Sequence, residues 1–131
     1  MAPQFSILLV EPSFLLRQKL TCALAREEGV WCVAQVGGLS EMMHGGGGIR
    51  PDLILADLSV LKDVGTIELI RNSTGAARIV GLVDSDAAPY GNIARSLGLD
   101  GIFDKARVAD GVRGMIKELT EISREGDRET I

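Results

Sequence analysis

Two carboxylates and one amine each close an apolar segment of this sequence. Asp57 follows the run 53–56, Glu11 ends the segment "ILLVE", and Lys105 ends "GIFDK". A carboxylate at the end of a buried strand can attack a phosphoryl group and form an acyl phosphate. That chemistry needs a hard cation held by oxygen ligands, a fixed positive side chain and a donor for the phosphoryl oxygens. The three residues therefore predict a phosphoryl-transfer site, provided that their segments end at one place.

Short apolar segments alternate with amphipathic ones along the chain. Continuous hydrophobicity predicts strands over 5–10, 30–36, 52–57, 78–83 and 100–104. Helical spacing predicts helices over 14–28, 64–72, 88–98 and 106–126. This order predicts an α/β fold, a doubly wound five-stranded parallel sheet with helices on both faces.

The predicted strand ends collect the polar residues of interest. In an open α/β sheet the ligand crevice lies outside the carboxyl ends of the strands. We therefore expect five residues to converge there although they are distant in sequence. They are Glu11, Asp57, Val83, Asp84 and Lys105.

Length and composition predict a single domain and argue against several classes of function. A chain of 131 residues fits one domain, which we place at 1–124, with 125–131 as a polar tail or the start of a linker. A formal net charge of -4 argues against direct nucleic-acid binding. No apolar run approaches the roughly 18 residues of a membrane span, and Cys22 and Cys32 are expected to be reduced core thiols of a cytoplasmic protein.

The glycine run 45–48 and the neighbouring His44 carry no predicted chemistry. The run precedes a strand instead of joining a strand to a helix N-terminus, and no "GK[ST]" follows it. A loop is therefore the better interpretation. His44 has no second His or Cys at ligand spacing, so it is expected to be an exposed loop residue and not a metal ligand.

Four motifs in order resemble one known family, the receiver domains of two-component response regulators. "ILLVEPSFLLRQKL" resembles the family's acidic-pair opening, "RPDLILADLS" its phosphoacceptor strand, "RIVGLVDSD" its switch strand and "DGIFDK" its lysine strand. The resemblance spans residues 5–122 and implies a flavodoxin-like fold. The wording around "PDLILADLS" is most similar to the subfamily that commonly carries a helix-turn-helix output domain, which would lie beyond residue 131.

The resemblance implies a role for three residues. Asp57 would be the phosphoacceptor, Glu11 one member of the acidic pair that binds Mg²⁺ together with Asp57, and Lys105 the cation that pairs with carboxylate and phosphoryl group. It also implies a sensor histidine kinase or other signalling protein as partner, a possible homodimer, and no enzymatic turnover beyond self-phosphotransfer to Asp57.

Several positions depart from the family pattern. Pro12 occupies the second acidic position, which removes a magnesium ligand and predicts weak Mg²⁺ binding. Val83 replaces the switch hydroxyl residue, keeping its shape but losing its donor. Ile102 stands where an aromatic switch residue is usual, and prolines of the family are replaced by Leu61 and Ala106.

Asp84 departs most, because the family usually has a small residue there. A carboxylate roughly 4 Å from the phosphoryl group would cost on the order of 4 kcal/mol per charge pair at an effective dielectric near 20. The alternative is that Asp84 replaces the charge lost at Pro12 and helps to bind a relocated cation. The strict geometry of magnesium sites disfavours that alternative.

The leading prediction is an atypical receiver domain with Asp57 retained and with phosphorylation and switching impaired or altered. Two alternatives remain: a conventional Mg²⁺-dependent phosphorylation switch, and a scaffold or dimerisation module that uses Met115, Leu119 and Ile122 of the last helix. Taken without the resemblance, Asp57 and Lys105 would be read as an ordinary structural ion pair.

Overall fold

Five parallel strands form a single sheet in the computed structural model, which describes residues 4–45 and 50–129, with side chains described through residue 122. The spatial order is β2-β1-β3-β4-β5, and every neighbouring pair is parallel. The predicted doubly wound five-stranded sheet is confirmed. The strands are β1 (Phe5–Val10), β2 (Val30–Val36), β3 (Leu53–Asp57), β4 (Arg78–Val83) and β5 (Gly101–Asp104).

Helices follow each strand. They are α1 (Phe14–Ala25), α2 (Leu39–Met43), α3 (Val64–Thr74), α4 (Gly91–Leu97) and α5 (Val108–Glu129), with single 3₁₀ turns at Ala88–Tyr90 and Lys105–Arg107. The sequence did not indicate α2, because five residues are too few for a helical period to be visible. α5 continues to Glu129, past the predicted end at 126.

Local sequence sets where several helices begin and end. The Ser13 hydroxyl accepts a hydrogen bond from the Leu16 amide at 3.4 Å and caps α1. Asp63 caps α3 by accepting from the Thr66 amide at 2.8 Å. Gly98, at φ +75°, ends α4 in the left-handed conformation that glycine adopts without strain.

The core has two layers, one on each face of the sheet. Successive residues of a strand point to opposite faces, so Leu8 and Val10 belong to one layer while Ile7 and Leu9 belong to the other. The layer containing Ile7 also holds the buried faces of α1 and α5, namely Leu20, Leu24, Val108, Val112 and Ile116. The layer containing Leu8 holds Ile67 and Ile70 of α3. This two-sided burial is why the strands read as continuous apolar runs.

One residue predicted to lie in the core, Cys22, and one apolar residue of the last helix, Ile122, lie at the surface. Both cysteines are free thiols as predicted, but Cys22 is exposed, because it lies off the face of α1 that Leu20 and Leu24 bury. Ile122 is 55% exposed. Of the predicted glycine loop, residues 46–48 lie outside the described residues. Within the described part of the chain, no helix is long and apolar enough to span a bilayer.

Two glycines of α5 should respond oppositely to alanine. A Cβ on Gly111 would meet ring atoms of Phe103 at 2.7 Å, whereas a Cβ on Gly114 would have nothing described within 4 Å. We expect Gly111→Ala to lower the free energy of unfolding by about 1–2 kcal/mol, since overpacking outweighs the gain in helix propensity. Gly114→Ala should raise it by about 0.5–1 kcal/mol. Urea denaturation measures both, and equal effects would contradict the close packing of Phe103.

Candidate functional site at the carboxyl edge of the sheet

The strand order brings the predicted residues together at one edge. β3 lies between β1 and β4, and β5 lies beside β4. The register pairs Asp57 with Leu82 and Val83 with Asp104. Asp84 and Lys105 therefore follow the ends of neighbouring strands close to Asp57, as the parallel arrangement predicts.

Lys105 lies at the centre of the cluster. Its Nζ is 2.5 Å from Glu11 Oε1 and 3.2 Å from Asp84 Oδ1, and it donates a hydrogen bond to Asp57 Oδ2. Lys105 is only 7% exposed. Burial by itself would lower the pKa of this amine, but the hydrogen bond to Asp57 and the nearby carboxylates of Glu11 and Asp84 outweigh it and raise the pKa above its usual value. The ammonium form is therefore secure at neutral pH.

Asp57 is held through both carboxylate oxygens. Oδ2 accepts from Lys105, while Oδ1 accepts from the backbone amide of Ser59 at 2.9 Å and from its hydroxyl at 2.5 Å. Burial would raise the pKa of Asp57, but the hydrogen bonds from Lys105 and Ser59 together lower it below its usual value of 3.8. Asp57 is therefore ionised at neutral pH, as a nucleophilic carboxylate must be.

Sequence reasoning missed Ser59. Its amide and hydroxyl bond the side chain two residues earlier, which is the local turn that Asp favours. The Asp-X-Ser spacing directly after a strand is the signal that could have identified it. Ser59 is exposed and orients the Asp57 carboxylate from its solvent side.

Glu11 is fixed in the interior by its own loop. Its side chain is 2% exposed, and Oε2 accepts from the Ser13 amide at 3.0 Å. The Glu11 carbonyl accepts from Arg17 Nη1 at 2.7 Å, which ties the loop to α1. Oε1 receives no hydrogen bond of acceptable geometry from the described residues, and its close contact is the ion pair with Lys105.

The residues at the altered positions lie where the motifs predict but supply different chemistry. Pro12 is exposed and has no carboxylate to direct at the cluster. Val83 is buried at 6% exposure and has no hydroxyl. Leu61 is fully buried in the core and Ala106 is exposed. Ile102 is partly buried and lines an open cavity of about 650 Å³ with Phe103 and Arg107, among others.

Asp84 lies in solvent instead of folding across the pocket. Its side chain is 80% exposed, and its contact in the cluster is with Lys105. An exposed charge is screened by water, so its repulsion of a phosphoryl group is smaller than the value estimated for a dielectric near 20.

A lysine ammonium, and not a cluster of metal-binding side chains, lies among these carboxylates. Among the side chains described in 4–45 and 50–122, no group of three or more His, Cys, Asp or Glu has the geometry to hold a metal ion. The Lys105 ammonium lies in the space that Glu11, Asp57 and Asp84 share, so a single positive side chain performs the charge neutralisation there. His44 is exposed, and its Nδ1 lies 2.7 Å from the Ser40 carbonyl.

The acid dependence of stability should reveal the Asp57 contacts. The pKa of Asp57 is lower in the folded chain than in the unfolded one, so its contribution to stability is present above the usual pKa of 3.8 and is lost as pH falls through the folded value. As pH falls from about 5 to about 2, we expect the free energy of unfolding of wild type to decrease more than that of Asp57→Asn. Denaturant titrations at several pH values measure it, and parallel pH profiles would contradict the assignment.

Comparisons by sequence find no relative for this chain. No protein-family model matches it, and no curated protein matches it.

Comparisons by structure find response regulators. The chain resembles the RcsB response regulator of Salmonella typhimurium with a TM-score of 0.71 and 15% identity over 92% of this chain, but it spans only 61% of that chain. It resembles a LuxR-family response regulator from Aurantimonas with a TM-score of 0.70 and 20% identity, over 88% of this chain and 86% of that one. It resembles the receiver domain of the putative regulator NarL from Mycobacterium tuberculosis with a TM-score of 0.69 and 16% identity, over 88% and 98%. The chain therefore has the fold of response regulator receiver domains.

Proposed function

We propose that this chain is an atypical receiver domain in two-component signal transduction, with Asp57 as the phosphoacceptor and with impaired phosphorylation. The observation that carries the proposal is the contact between ionised Asp57 and buried Lys105 at the carboxyl edge of a receiver-type sheet. A charged nucleophile beside a fixed positive side chain supplies two of the parts that acyl phosphate formation uses. Fold alone would not support this function, since the same topology serves many others.

The reaction that the site would perform is a phosphoryl transfer. A carboxylate oxygen of Asp57 attacks the phosphorus of the donor and forms a new O–P bond, while the bond to the leaving group breaks and its electron pair departs with that group. Lys105 offsets the charge that develops on the phosphoryl oxygens. Ser59 holds the carboxylate in one orientation during the approach.

Two features support impairment. Pro12 leaves Glu11 and Asp57 as the carboxylates available to Mg²⁺, which would supply further charge neutralisation when bound. That cation must compete with the Lys105 ammonium for the same oxygens, so we propose that Mg²⁺ binds weakly. Val83 cannot donate to a phosphoryl oxygen, so the step that reports phosphorylation in this family is also altered at Val83 and Ile102.

The partners follow from the same proposal. A sensor histidine kinase, or another signalling protein, would act on Asp57 in the cytoplasm. The chain spans 61% of the RcsB response regulator, a structure concerned with DNA interaction. We propose that 1–124 is the receiver domain and that 125–131 is either a polar tail or the start of a linker to a DNA-binding output domain. We propose no enzymatic turnover beyond self-phosphotransfer. We also propose no direct nucleic-acid contact, since the formal net charge is -4.

One observation favours a scaffold or homodimer function as the second candidate. Ile122 of α5 is 55% exposed, and it lines a cavity with Met115 and Leu119. The rest of the lining is charged and consists of Arg78, Asp100 and Glu118. A small apolar patch with a charged rim can contact a partner whether or not Asp57 is modified.

Intact-mass measurement with acetyl phosphate and Mg²⁺ tests the primary proposal. We expect a slow and incomplete gain of one phosphate that disappears in Asp57→Ala. Rapid and complete incorporation would contradict impairment and support a conventional switch. Incorporation that persists in Asp57→Ala would exclude Asp57 as the acceptor, and no incorporation from any donor would leave the scaffold function as the better description.

Restoring the missing carboxylate should restore the cation site. Pro12 is exposed and precedes the Ser13 cap, so Pro12→Asp adds a ligand without disturbing α1. We expect the affinity for Mg²⁺ to rise by about tenfold or more, because affinity follows the number of charged oxygen ligands. Titration of amide NMR signals near Asp57 measures this affinity. Pro12→Asn is the matched neutral control, and an equal gain in both variants would contradict the explanation.

A further inference from the structure

Three carboxylates surround the Lys105 ammonium. Glu11, Asp57 and Asp84 each bring an oxygen within 3.2 Å of Nζ, and Asp57 accepts a hydrogen bond from it. A phosphoryl oxygen that arrives at Asp57 must therefore share the Lys105 ammonium with these carboxylates.

Asp84 is the carboxylate that can leave. Glu11 is 2% exposed and its other oxygen is held by the Ser13 amide, so its release would leave a buried charge uncompensated. Asp57 is the acceptor itself. Asp84 is 80% exposed beyond the end of β4, and water can solvate its carboxylate at little cost once it leaves Lys105.

The net charge of the cluster also indicates that Asp84 opposes phosphorylation. Three carboxylates and one ammonium sum to about -2, and phosphorylation of Asp57 makes the cluster more negative by about one further charge. With Val83 unable to donate, Lys105 is the described cation already in contact with Asp57. Any carboxylate that occupies Lys105 therefore opposes the phosphorylated state.

We propose that Asp84 is a positioning residue that restrains phosphorylation of Asp57 by its ion pair with the Lys105 ammonium and by adding an exposed negative charge beside the acceptor. The inference rests on the proposed function of Asp57. It assigns part of the impaired phosphorylation to Asp84, in addition to the effects of Pro12 and Val83. Because the charge is exposed, its removal should change the rate by about five- to tenfold, and not by the larger factor expected of a buried charge.

The test reaction is transfer from acetyl phosphate. An Asp57 oxygen forms a bond to phosphorus, the bond from phosphorus to the acetyl oxygen breaks, and acetate leaves with the electron pair. Protein and reagent together keep the same atoms and total charge, and no oxidant or further reactant takes part. The rate is followed by the gain of one phosphate in intact mass, with Mg²⁺ held at one concentration.

Two substitutions separate the charge of Asp84 from its contact with Lys105. Asp84→Asn keeps the size and an acceptor oxygen but removes the charge. Asp84→Ser removes the charge and also shortens the side chain, so that its oxygen no longer reaches Lys105 Nζ. We expect Asp84→Ser to be phosphorylated fastest, Asp84→Asn more slowly and wild type most slowly. The rate of Asp84→Ser should exceed that of wild type by about five- to tenfold. Asp86→Asn is the matched control, because Asp86 is exposed in the same loop and accepts a hydrogen bond from the Ala88 amide at 3.0 Å. Its rate should equal that of wild type.

Salt dependence provides a readout that a merely structural role would not move. The repulsion from an exposed carboxylate falls as ionic strength rises. The ratio of the Asp84→Asn rate to the wild-type rate should therefore decrease towards one at high salt. A ratio that does not change with salt would overturn the electrostatic part of the proposal.

The outcomes distinguish this inference from the proposed function. Equal rates in Asp84→Ser and wild type, with both lost on Asp57→Ala, would overturn the role of Asp84 and leave Asp57 as the acceptor. A gain in Asp84→Ser that survives in the double variant with Asp57→Ala would overturn both. If none of the proteins, including Asp84→Ser, incorporates phosphate, both the role of Asp84 and the proposed function of Asp57 are overturned. An equal gain in rate in Asp86→Asn would show an effect of net charge alone and would overturn the specific role of Asp84.

Discussion

Burial of the Lys105 ammonium is the constraint on which the site depends. An amine at 7% exposure is stable only when opposite charges surround it, and Glu11 and Asp57 supply them from the interior. Those carboxylates belong to the ends of β1 and β3, while Lys105 follows β5. The ion cluster therefore links three strands that are far apart in sequence, and removal of Lys105 would leave the buried carboxylate of Glu11 without compensation.

The fold can hold this cluster because its rigid part and its reactive part are separate. An aliphatic core covers both faces of the sheet, and the charged residues lie in the turns just beyond it. Loops at the carboxyl ends of parallel strands tolerate substitution, since they contribute little to core packing. Pro12 could therefore alter the chemistry of the site while the receiver-type topology remained intact. Val83 is instead the buried last residue of β4, and it packs in the core without offering a hydrogen-bond donor.

Electrostatics connects the altered positions. A site that lacks one ligand for a metal cation relies on its own positive side chain. Here that side chain is Lys105, and its single positive charge is shared by three carboxylates. Asp57 is ionised and oriented by Ser59. The proposed impairment of phosphorylation would therefore come from a shortage of free positive charge around Asp57, and not from the carboxylate itself.

The sequence by itself determined the strands, the helical face of α1 and the identity of the residues at the sheet edge, because these depend on local hydrophobic periodicity and on short motifs. It did not indicate α2, the turn made by Ser59 or the exposure of Cys22 and Ile122, since short segments carry no period and exposure depends on neighbours distant in sequence. Only the tertiary structure decided that Asp84 points to solvent and contacts Lys105. The physical reason is that a side chain's charge environment is set by strand order and by the partners that strand order brings within a few ångströms, and a linear sequence does not contain those distances.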